Sequence, residues 1–409
     1  MKKIYYGWFV LLGLALMYVG SNGYGYLSIP SFSPSLTTFF GVAPGTVPQA
    51  ATIMTLLIAF LSPVFGWFLD RYDVKAILTI GAFMLVGMLF YFTKMTTFNG
   101  FKLFNAGYAV ALCFGGIITC MFIINKWFDK QRGIAVGLFL NASSLGAAIF
   151  NPYIGNQLKA GLAWQEVATN AFYIAAALIL VPLLFIKAKP SDEVRKNSKQ
   201  FSETSINFII KGLSLKQAIA TPSFWLLILV TGGLWFCING IIFHKNTILS
   251  DIKLDPKQAG SFGLVFFLCG MIGKLVFGYL SDRFNKQYIM IASIACILIG
   301  AILFKLALTN ASLLPLVAFV FGIGYSGSFT MIQLMIADLY RGQFYGTILG
   351  VFIMADTLAG SAGIFLLGSL RKNSGSYDSS FLAMIGICIV ALGATFLIKK
   401  PQTLEEVGA

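Results

Sequence analysis

The segment Gly66-Trp67-Phe68-Leu69-Asp70-Arg71-Tyr72 returns, 212 positions later, as Gly278-Tyr279-Leu280-Ser281-Asp282-Arg283-Phe284. Each copy ends a long apolar stretch at a short polar turn. A repeat at this offset, in a chain rich in apolar stretches, indicates two structurally related halves. The segment therefore decides the fold, because it indicates that the second half of the chain repeats the helices of the first half.

The composition is that of a membrane protein. Hydrophobic residues make up 58% of the chain and charged residues 11%, whereas a soluble domain carries about 25% charged residues. A helix needs roughly 20 mostly apolar residues to span a bilayer. We predict an all-α membrane protein with twelve transmembrane helices in two pseudo-symmetric six-helix bundles. The predicted spans are 7–29, 49–69, 76–93, 99–124, 133–155, 168–186, 223–243, 259–280, 288–306, 312–336, 343–369 and 379–398.

Positive charge in the loops predicts the orientation. Of the 29 Lys and Arg residues, 19 fall in loops on the side of the N-terminus, 9 lie on the opposite face, and Lys274 falls inside a span. Because cytoplasmic loops carry the excess of Lys and Arg, we expect both termini in the cytoplasm. The expected location is the plasma membrane, which is the inner membrane in a Gram-negative bacterium.

The net charge of +14 has the same origin. No compact basic domain is present to grip a duplex, so we do not expect nucleic acid as a partner. The six cysteines all fall within apolar spans without paired spacing. We therefore expect no disulfide framework, no metal site and no cofactor.

A polar stretch divides the twelve spans six and six. Hydrophobicity collapses after Lys187, and residues 189–200 are charged and Ser-rich, as expected of a solvated linker. Residues 203–220 are predicted to form a short amphipathic helix on the inner membrane surface. The predicted parts are an N-terminal bundle, 1–187, a cytoplasmic linker, 188–222, and a C-terminal bundle, 223–409.

Both repeated segments carry the pattern Gly-x3-Asp-Arg, followed within a few residues by a lysine. This pattern resembles the loop signature of the major facilitator superfamily. Further segments resemble its branch of monocarboxylate and oxalate/formate transporters: Tyr5-Tyr6-Gly7-Trp8, Lys126-Trp127-Phe128-x3-Arg132-Gly133-x3-Gly137, and Gly273-Lys274-x3-Gly278-x3-Asp282-Arg283. The resemblance covers essentially the whole chain and implies a twelve-helix transporter, without fixing its substrate.

The paired loops have an expected role in gating. In this superfamily they are thought to latch the two halves, and the resemblance implies this role for Asp70, Arg71, Asp282, Arg283 and Arg132. An Asp at a helix end can cap a neighbouring helix, and an Arg can bond the last carbonyls of its own helix. The alternative is that these residues are ordinary topology determinants.

Two ionisable residues lie deep within predicted spans. Lys274 is about two-thirds of the way along span eight, and Asp356 is near the middle of span eleven. A charge at mid-bilayer costs roughly 2.5–3.5 kcal/mol even on lenient insertion scales, so neither residue can face lipid. We expect Lys274 to attract the carboxylate of an anionic substrate, which the resemblance supports because related transporters often hold Arg there. The alternative is a structural ion pair between Lys274 and Asp356.

Asp356 departs from the family pattern. Oxalate/formate antiporters carry a second cation on span eleven, which suits a dianion, so an acid there argues against oxalate. Protonation of Asp356 would weaken its attraction for Lys274 and let a substrate carboxylate take its place. His244, the only histidine, ends span seven and is expected either as an interfacial hydrogen-bonding residue or as a second proton-coupling residue.

Cavity walls are expected from spans one, four, seven and ten, by resemblance to the superfamily. Each polar or aromatic candidate there also has a simpler interpretation as a packing residue. As a set they suggest a small cavity with one cation, one acid and several hydroxyls or amides. The candidates are Asn22, Tyr24, Tyr26, Asn105, Tyr108, Trp235, Asn239, Tyr325, Ser326 and Gln333.

The leading hypothesis is a secondary transporter of a small organic monocarboxylate, working as a monomer with protons as the coupling ion. A proton-coupled amino-acid transporter is the closest alternative, with Lys274 and Asp356 each pairing with one end of a zwitterion. A drug/proton antiporter is disfavoured by Lys274. An enzyme is not expected, because one histidine and scattered acids supply no catalytic constellation. A sensor is disfavoured because the linker and tail are too small for an output domain.

Overall fold

The computed structural model describes residues 5–43, 46–191, 212–252 and 256–400. Within these ranges the chain is built from helices and turns, without strands. This confirms the predicted all-α fold class. The helices of the N-terminal part are α1 Gly7–Tyr18, α2 Ser33–Phe40, α3 Thr46–Arg71, α4 Val74–Lys94, α5 Phe98–Gly115, α6 Ile117–Trp127, α7 Arg132–Lys159 and α8 Trp164–Leu180.

The helices that follow are α9 Leu215–Ile219, α10 Pro222–Asp251, α11 Pro256–Arg283, α12 Lys286–Ala307, α13 Leu314–Tyr340, α14 Tyr345–Ser374 and α15 Asp378–Leu397. Short 3-10 helices lie at Ile29–Phe32, Val181–Leu184 and Ala311–Leu313. Among the described residues, eleven helical segments are long and apolar enough to cross a membrane. They correspond to predicted spans two to twelve.

The first predicted span is helical but irregular. Helix α1 runs directly into a π-helix over Val19–Tyr24, a wider winding that single helices tolerate over only a turn or so. Tyr108 of α5 holds this segment in place, because its hydroxyl donates to the carbonyl of Ser21 at 2.7 Å. The sequence predicted the span but not the change in winding, which depends on this contact from another helix.

The fourth predicted span is broken in its middle. Helix α5 ends at Gly115 and α6 begins at Ile117, with Gly116 at φ −96° and ψ −148°. The Thr119 hydroxyl donates to the carbonyl of Phe114, which satisfies one backbone group freed by the break. A Cβ at Gly81 of α4 would collide with the backbone at Gly115. The break therefore lies where two helices approach each other closely.

The carbonyls at the end of the sixth span are bonded by side chains from three other elements. Lys75 donates to Ile186 at 2.8 Å, and Tyr6 donates to Phe185 at 2.8 Å. The indole of Trp127 donates to the carbonyl of Lys187 at 2.8 Å. These bonds satisfy carbonyls that have no partner inside a helix end.

The described residues fall into two compact units. The first takes those within Met1–Asp129, Leu138–Ile206 and Tyr345–Val351, and the second takes those within Lys130–Gly137, Asn207–Phe344 and Phe352–Ala409. The two short segments are the first turns of α7 and α14, which are hydrogen-bonded to Asp282 and Asp70, respectively. The predicted division at 187 and 223 stays a prediction.

The predicted amphipathic helix over 203–220 lies mostly outside the described residues, since residues 192–211 are not described. Its C-terminal end contains α9, which begins with a capping box between Ser214 and Gln217. In this arrangement the two side chains satisfy backbone donors at the helix start.

Candidate functional site

Lys274 lies on α11 and is only 2% exposed. Its ammonium is 5.6 Å from the centre of the Phe329 ring on α13, within the roughly 6 Å over which a cation is attracted to an aromatic face. Phe329 in turn packs edge-to-face against Trp235 of α10, with ring centres 5.4 Å apart. The second unit therefore brings the predicted cation and the predicted Trp235 into contact with one ring.

One face of α10 packs against α14. Thr231, Trp235 and Asn239 are four residues apart and share this face. A Cβ at Gly360 of α14 would collide with the amide of Asn239. Asn239 therefore reaches α14 because the residue opposite it is a glycine.

Asp356 lies one helical turn before Gly360 on α14 and is only 4% exposed. The side chain of Thr231 lies close to its carboxylate, and the Thr231 hydroxyl donates to the carbonyl of Ile228 in its own helix at 3.5 Å. The Asp356 oxygen Oδ1 has no hydrogen-bond partner among the described residues. The described contacts of Asp356 do not include Lys274. The structural ion pair considered from the sequence is thus not a feature of this conformation.

Helix α13 contributes further polar groups. Ser326 is fully buried beside Gly270, which lies one turn before Lys274 on α11. The Ser326 hydroxyl and the Gln333 oxygen Oε1 are buried without a hydrogen-bond partner among the described residues. Because a buried polar group without a partner is destabilising by about 1–3 kcal/mol, such groups mark places for water or a ligand. Tyr325, by contrast, stacks on Phe266 with ring centres 5.8 Å apart.

The candidates in the first unit make mainly structural contacts. The hydroxyl of Tyr24 donates to the carbonyl of Ala168 at 3.2 Å, and Tyr108 is engaged by the π-helix. The amide of Asn105 donates to a carbonyl of its own helix at 2.8 Å. Asn22 and Tyr26, in or just after the π-helix, are half-buried. Among the candidates of this unit, these two are the ones whose side chains take part in none of its described hydrogen bonds.

His244 is held on both sides. Its Nε2 lies 2.9 Å from the carbonyl of Ile364, and its Nδ1 lies 2.9 Å from the Tyr377 hydroxyl. A carbonyl only accepts, so Nε2 carries the hydrogen, and in the neutral ring Nδ1 accepts from Tyr377. Burial raises the pKa of Tyr377, which keeps this hydroxyl a donor. These contacts make His244 a hydrogen-bonding residue in this conformation, and its role in proton coupling stays a prediction.

The repeated Asp-Arg segments make matching contacts. The Asp70 carboxylate accepts from the backbone amides of Gly346 and Thr347, both at 2.7 Å, at the start of α14. The Asp282 carboxylate accepts from the amides of Gly133, at 2.6 Å, and Ile134, at 2.9 Å, at the start of α7. Each acid therefore caps the N-terminus of another helix, where backbone donors and the helix dipole favour a negative charge.

The arginines of the repeat stack on aromatic rings. Arg71 lies over the ring of Trp67 at 4.3 Å, and Arg283 lies over the ring of Tyr279 at 4.4 Å. Each ring is four residues earlier on the same helix, so the two arginines share one arrangement. The described contact of each arginine is therefore with an aromatic ring. The bonds to the last carbonyls of its own helix, which were expected from the sequence, are not among its described contacts.

Beside each cap lies a second, unlike contact. Arg132 forms an ion pair with Asp338 at 3.2 Å, and Lys286 contacts the same Asp338 oxygen at 3.2 Å. At the matching place in the first unit, the amide of Asn125 donates to the hydroxyl of Tyr345 at 2.9 Å. One contact is ionic and the other is neutral, although the surrounding geometry repeats.

A family model for the Major Facilitator Superfamily matches residues 10–248 and 224–408. The chain belongs to the major facilitator superfamily. It is 24% identical to the uncharacterized MFS-type transporter YcxA of Bacillus subtilis, over 98% of this chain and 96% of that protein. It is 22% identical to the oxalate:formate antiporter of Oxalobacter formigenes, over 96% and 92% of the two chains.

The fold comparison agrees. The crystal structure of the human organic anion transporter MFSD10 matches with a TM-score of 0.73 over 95% of this chain and 98% of that one, at 15% identity. This likeness shows the fold. The protein is thus an integral membrane protein of a superfamily of transporters, whose members act on small molecules and are not enzymes.

Sequence reasoning missed several residues of this transporter. Phe329 and Thr231 were not singled out, although Thr231 stands four residues before Trp235, which is also the spacing between Trp235 and Asn239 and places all three on one helix face. Asp338 was not singled out either. Its signal was available, because an acid beside a predicted span end is a natural partner for Arg132 of the motif.

Proposed function

We propose that this transporter carries a small organic monocarboxylate by alternating access, together with a proton. The observation that carries the proposal is the Lys274 ammonium, nearly buried on a membrane-spanning helix of the second unit. A positive charge within a membrane-spanning helix is energetically costly, so its presence indicates a function. Binding an anion is the function that the chemistry of an ammonium suits.

The groups around Lys274 support a carboxylate as the ligand. The Ser326 hydroxyl, across from Gly270, is a donor without a described partner. A carboxylate accepts several hydrogen bonds through its two oxygens, so an ammonium and a hydroxyl together can bind one. In the described conformation the ammonium is enclosed. The proposal therefore requires a second conformation in which solute reaches it, as alternating access provides.

Asp356 is the proposed proton carrier. It is buried beside Thr231, and one of its carboxylate oxygens has no hydrogen-bond partner among the described residues. A carboxylic acid in an apolar site is easily kept neutral. Binding of a proton there and of an anion at Lys274 would leave the second unit with the same net charge as before, which favours moving both together.

An amino acid is the second candidate, and one observation favours it. The unpartnered Oδ1 of Asp356 is an acceptor that the ammonium group of a zwitterion could use, while Lys274 holds its carboxylate. The two candidates differ in whether Asp356 binds a proton or the substrate itself.

The gating proposal concerns the two carboxylate caps. Asp70 holds the first turn of α14, and Asp282 holds the first turn of α7. We propose that these caps stabilise one conformation of the transport cycle and break in the other. The remaining motif residues, Arg71, Arg283 and Arg132, would adjust how readily they break. The location in the plasma membrane, the cytoplasmic termini and the monomeric state belong to the same proposal.

Purified protein in liposomes tests the function. Uptake of radiolabelled lactate and pyruvate is compared with uptake of alanine and threonine, each with and without an inward proton gradient. Gradient-driven uptake of the monocarboxylates alone supports the proposal. Uptake of the amino acids alone supports the second candidate, and uptake of neither class overturns both.

A further inference from the structure

Phe329 was not expected at the site, yet its ring contacts both the Lys274 ammonium and Trp235. The ammonium is 5.6 Å from the ring centre. The edge-to-face contact with Trp235, at an angle of 80°, fixes the orientation of the ring. Phe329 thus presents a positioned aromatic ring to the proposed substrate-binding cation.

A carrier that binds an anion through a buried cation must also release it. After release, the ammonium again lies in low-dielectric surroundings, where the loss of a partner is expensive. Any group that stabilises the ammonium in the empty carrier therefore weakens substrate binding and speeds release. An aromatic face does this without a charge of its own, so it does not hold the cation as tightly as a carboxylate would.

We propose that Phe329 is a positioning residue that stabilises the Lys274 ammonium in the empty carrier, competes with the substrate carboxylate and thereby permits release. The inference rests on the proposed function, because it assigns a role relative to that substrate. Phe329 is one such partner of Lys274, and a further contact of Lys274 shares this role.

The proposal separates two modes of transport. Net uptake requires the carrier to return empty, so it depends on the stability of the substrate-free ammonium. Exchange of one substrate molecule for another requires no empty return. Loss of the aromatic ring should therefore slow net uptake much more than exchange, and it should also tighten substrate binding.

The experiment compares Phe329→Leu, Phe329→Tyr and the wild type in liposomes, with radiolabelled lactate and pyruvate as probes. Net uptake into empty liposomes under a proton gradient is measured beside exchange against the unlabelled acid. Phe319→Leu is the matched control, because Phe319 is on the same helix and 51% exposed. If Phe329→Leu is not obtained as folded protein, Phe329→Met takes its place.

For Phe329→Leu we expect the half-saturation concentration to fall by between about twofold and twentyfold, with net uptake reduced and exchange retained. Phe329→Tyr keeps the aromatic face and should restore net uptake, and Phe319→Leu should match the wild type. Equal loss of net uptake and exchange, or an unchanged or raised half-saturation concentration, overturns the inference. If the wild type moves neither acid, the proposed function itself fails. If the wild type moves the acids and Lys274→Ala does not, the proposed function stands. A contrary result for Phe329→Leu then overturns this inference alone.

Discussion

At the scale of single residues, the two buried charges of the second unit have different surroundings. Lys274 lies against an aromatic ring, and Asp356 lies against a hydroxyl with one oxygen open. The first environment suits an ammonium that is exchanged between a ring and an anion. The second suits an acid that gains and loses a proton. The predictions at this scale follow from that difference.

Lys274→Ala should reduce uptake of the monocarboxylate by between about tenfold and a hundredfold in kcat/KM, because a hydrogen bond to a charged group contributes about 1.5–3 kcal/mol. Lys274→Arg should retain part of the activity, since the positive charge remains but the shape changes. The measurement is initial uptake in liposomes. Lys372→Ala serves as the control, because Lys372 is exposed at the end of α14. Wild-type uptake by Lys274→Ala would contradict the assignment.

Asp356→Asn should preserve substrate binding but remove the response to a proton gradient. The amide is nearly the same size and still offers hydrogen-bonding groups beside Thr231, but it cannot take up a proton. The ratio of uptake with and without an imposed pH gradient measures this directly. Asp378→Asn is the comparison variant, because Asp378 pairs with Lys305 in a more exposed place. A gradient response of wild-type size in Asp356→Asn would exclude Asp356 as the proton carrier.

The sequence was sufficient to find both charges, because an ionisable residue within an apolar run is visible without a structure. It was not sufficient to find Phe329 or Thr231. Their importance depends on how α10, α11, α13 and α14 are rotated about their axes. That rotation is set by close contacts such as Gly360 with Asn239, which no single helix reveals.

At the scale of helices, the two carboxylate caps depend on backbone contacts between glycines. A Cβ at Gly133 would collide with the carbonyl of Gly278, and a Cβ at Gly346 would collide with the carbonyl of Gly66. Backbone atoms cannot move aside as a side chain can. The close approach that brings each Asp to its helix N-terminus therefore requires glycine at these positions.

Gly133→Ala and Gly346→Ala should each lower thermal stability and uptake, because overpacking of this kind is destabilising by about 1–3 kcal/mol. Gly386→Ala is the matched control on α15. A Cβ there meets nothing within 4 Å, and Ala favours a helix by up to about 1 kcal/mol relative to Gly. Thermal unfolding in detergent and uptake in liposomes are measured for all three. If the first two variants behave like Gly386→Ala, the contacts do not govern the cycle.

The sequence foresaw that an Asp at a helix end could cap a neighbour, but it did not say which neighbour. Asp70 bonds to Gly346, which is 276 positions away, far beyond the reach of any local sequence pattern. The repeat predicted that the two contacts would match. It did not predict that one would carry an ion pair, Arg132 with Asp338, and the other a neutral bond, Asn125 with Tyr345.

At the scale of the whole molecule, the hydropathy pattern predicted the spans well, because a bilayer admits few backbone arrangements besides helices. It could not show that span one contains a π-helix or that span four breaks at Gly116. Both irregularities depend on packing, by Tyr108 in one case and Gly81 in the other. Of the linker, residues 192–211 lie outside the described ranges.

The predicted orientation can be tested with single cysteines. A maleimide that does not cross membranes should label Ser376→Cys in intact cells, and it should label Tyr72→Cys only after permeabilisation. Both positions are exposed, and the positive-inside rule places them on opposite faces. A background in which the six native cysteines are replaced by Ala removes other labelling. Labelling of both positions from outside, or the reverse pattern, would contradict cytoplasmic termini.

The central claim is that the negative charge of the solute, and not only its shape, is recognised by the buried ammonium of Lys274. The most direct measurement compares uptake of lactate and pyruvate by wild-type liposomes with uptake of lactamide and pyruvamide, their neutral amides of nearly the same size. We expect the acids to be taken up, the amides to be excluded, and the amides to compete only weakly. Equal transport of an acid and its amide would contradict the account.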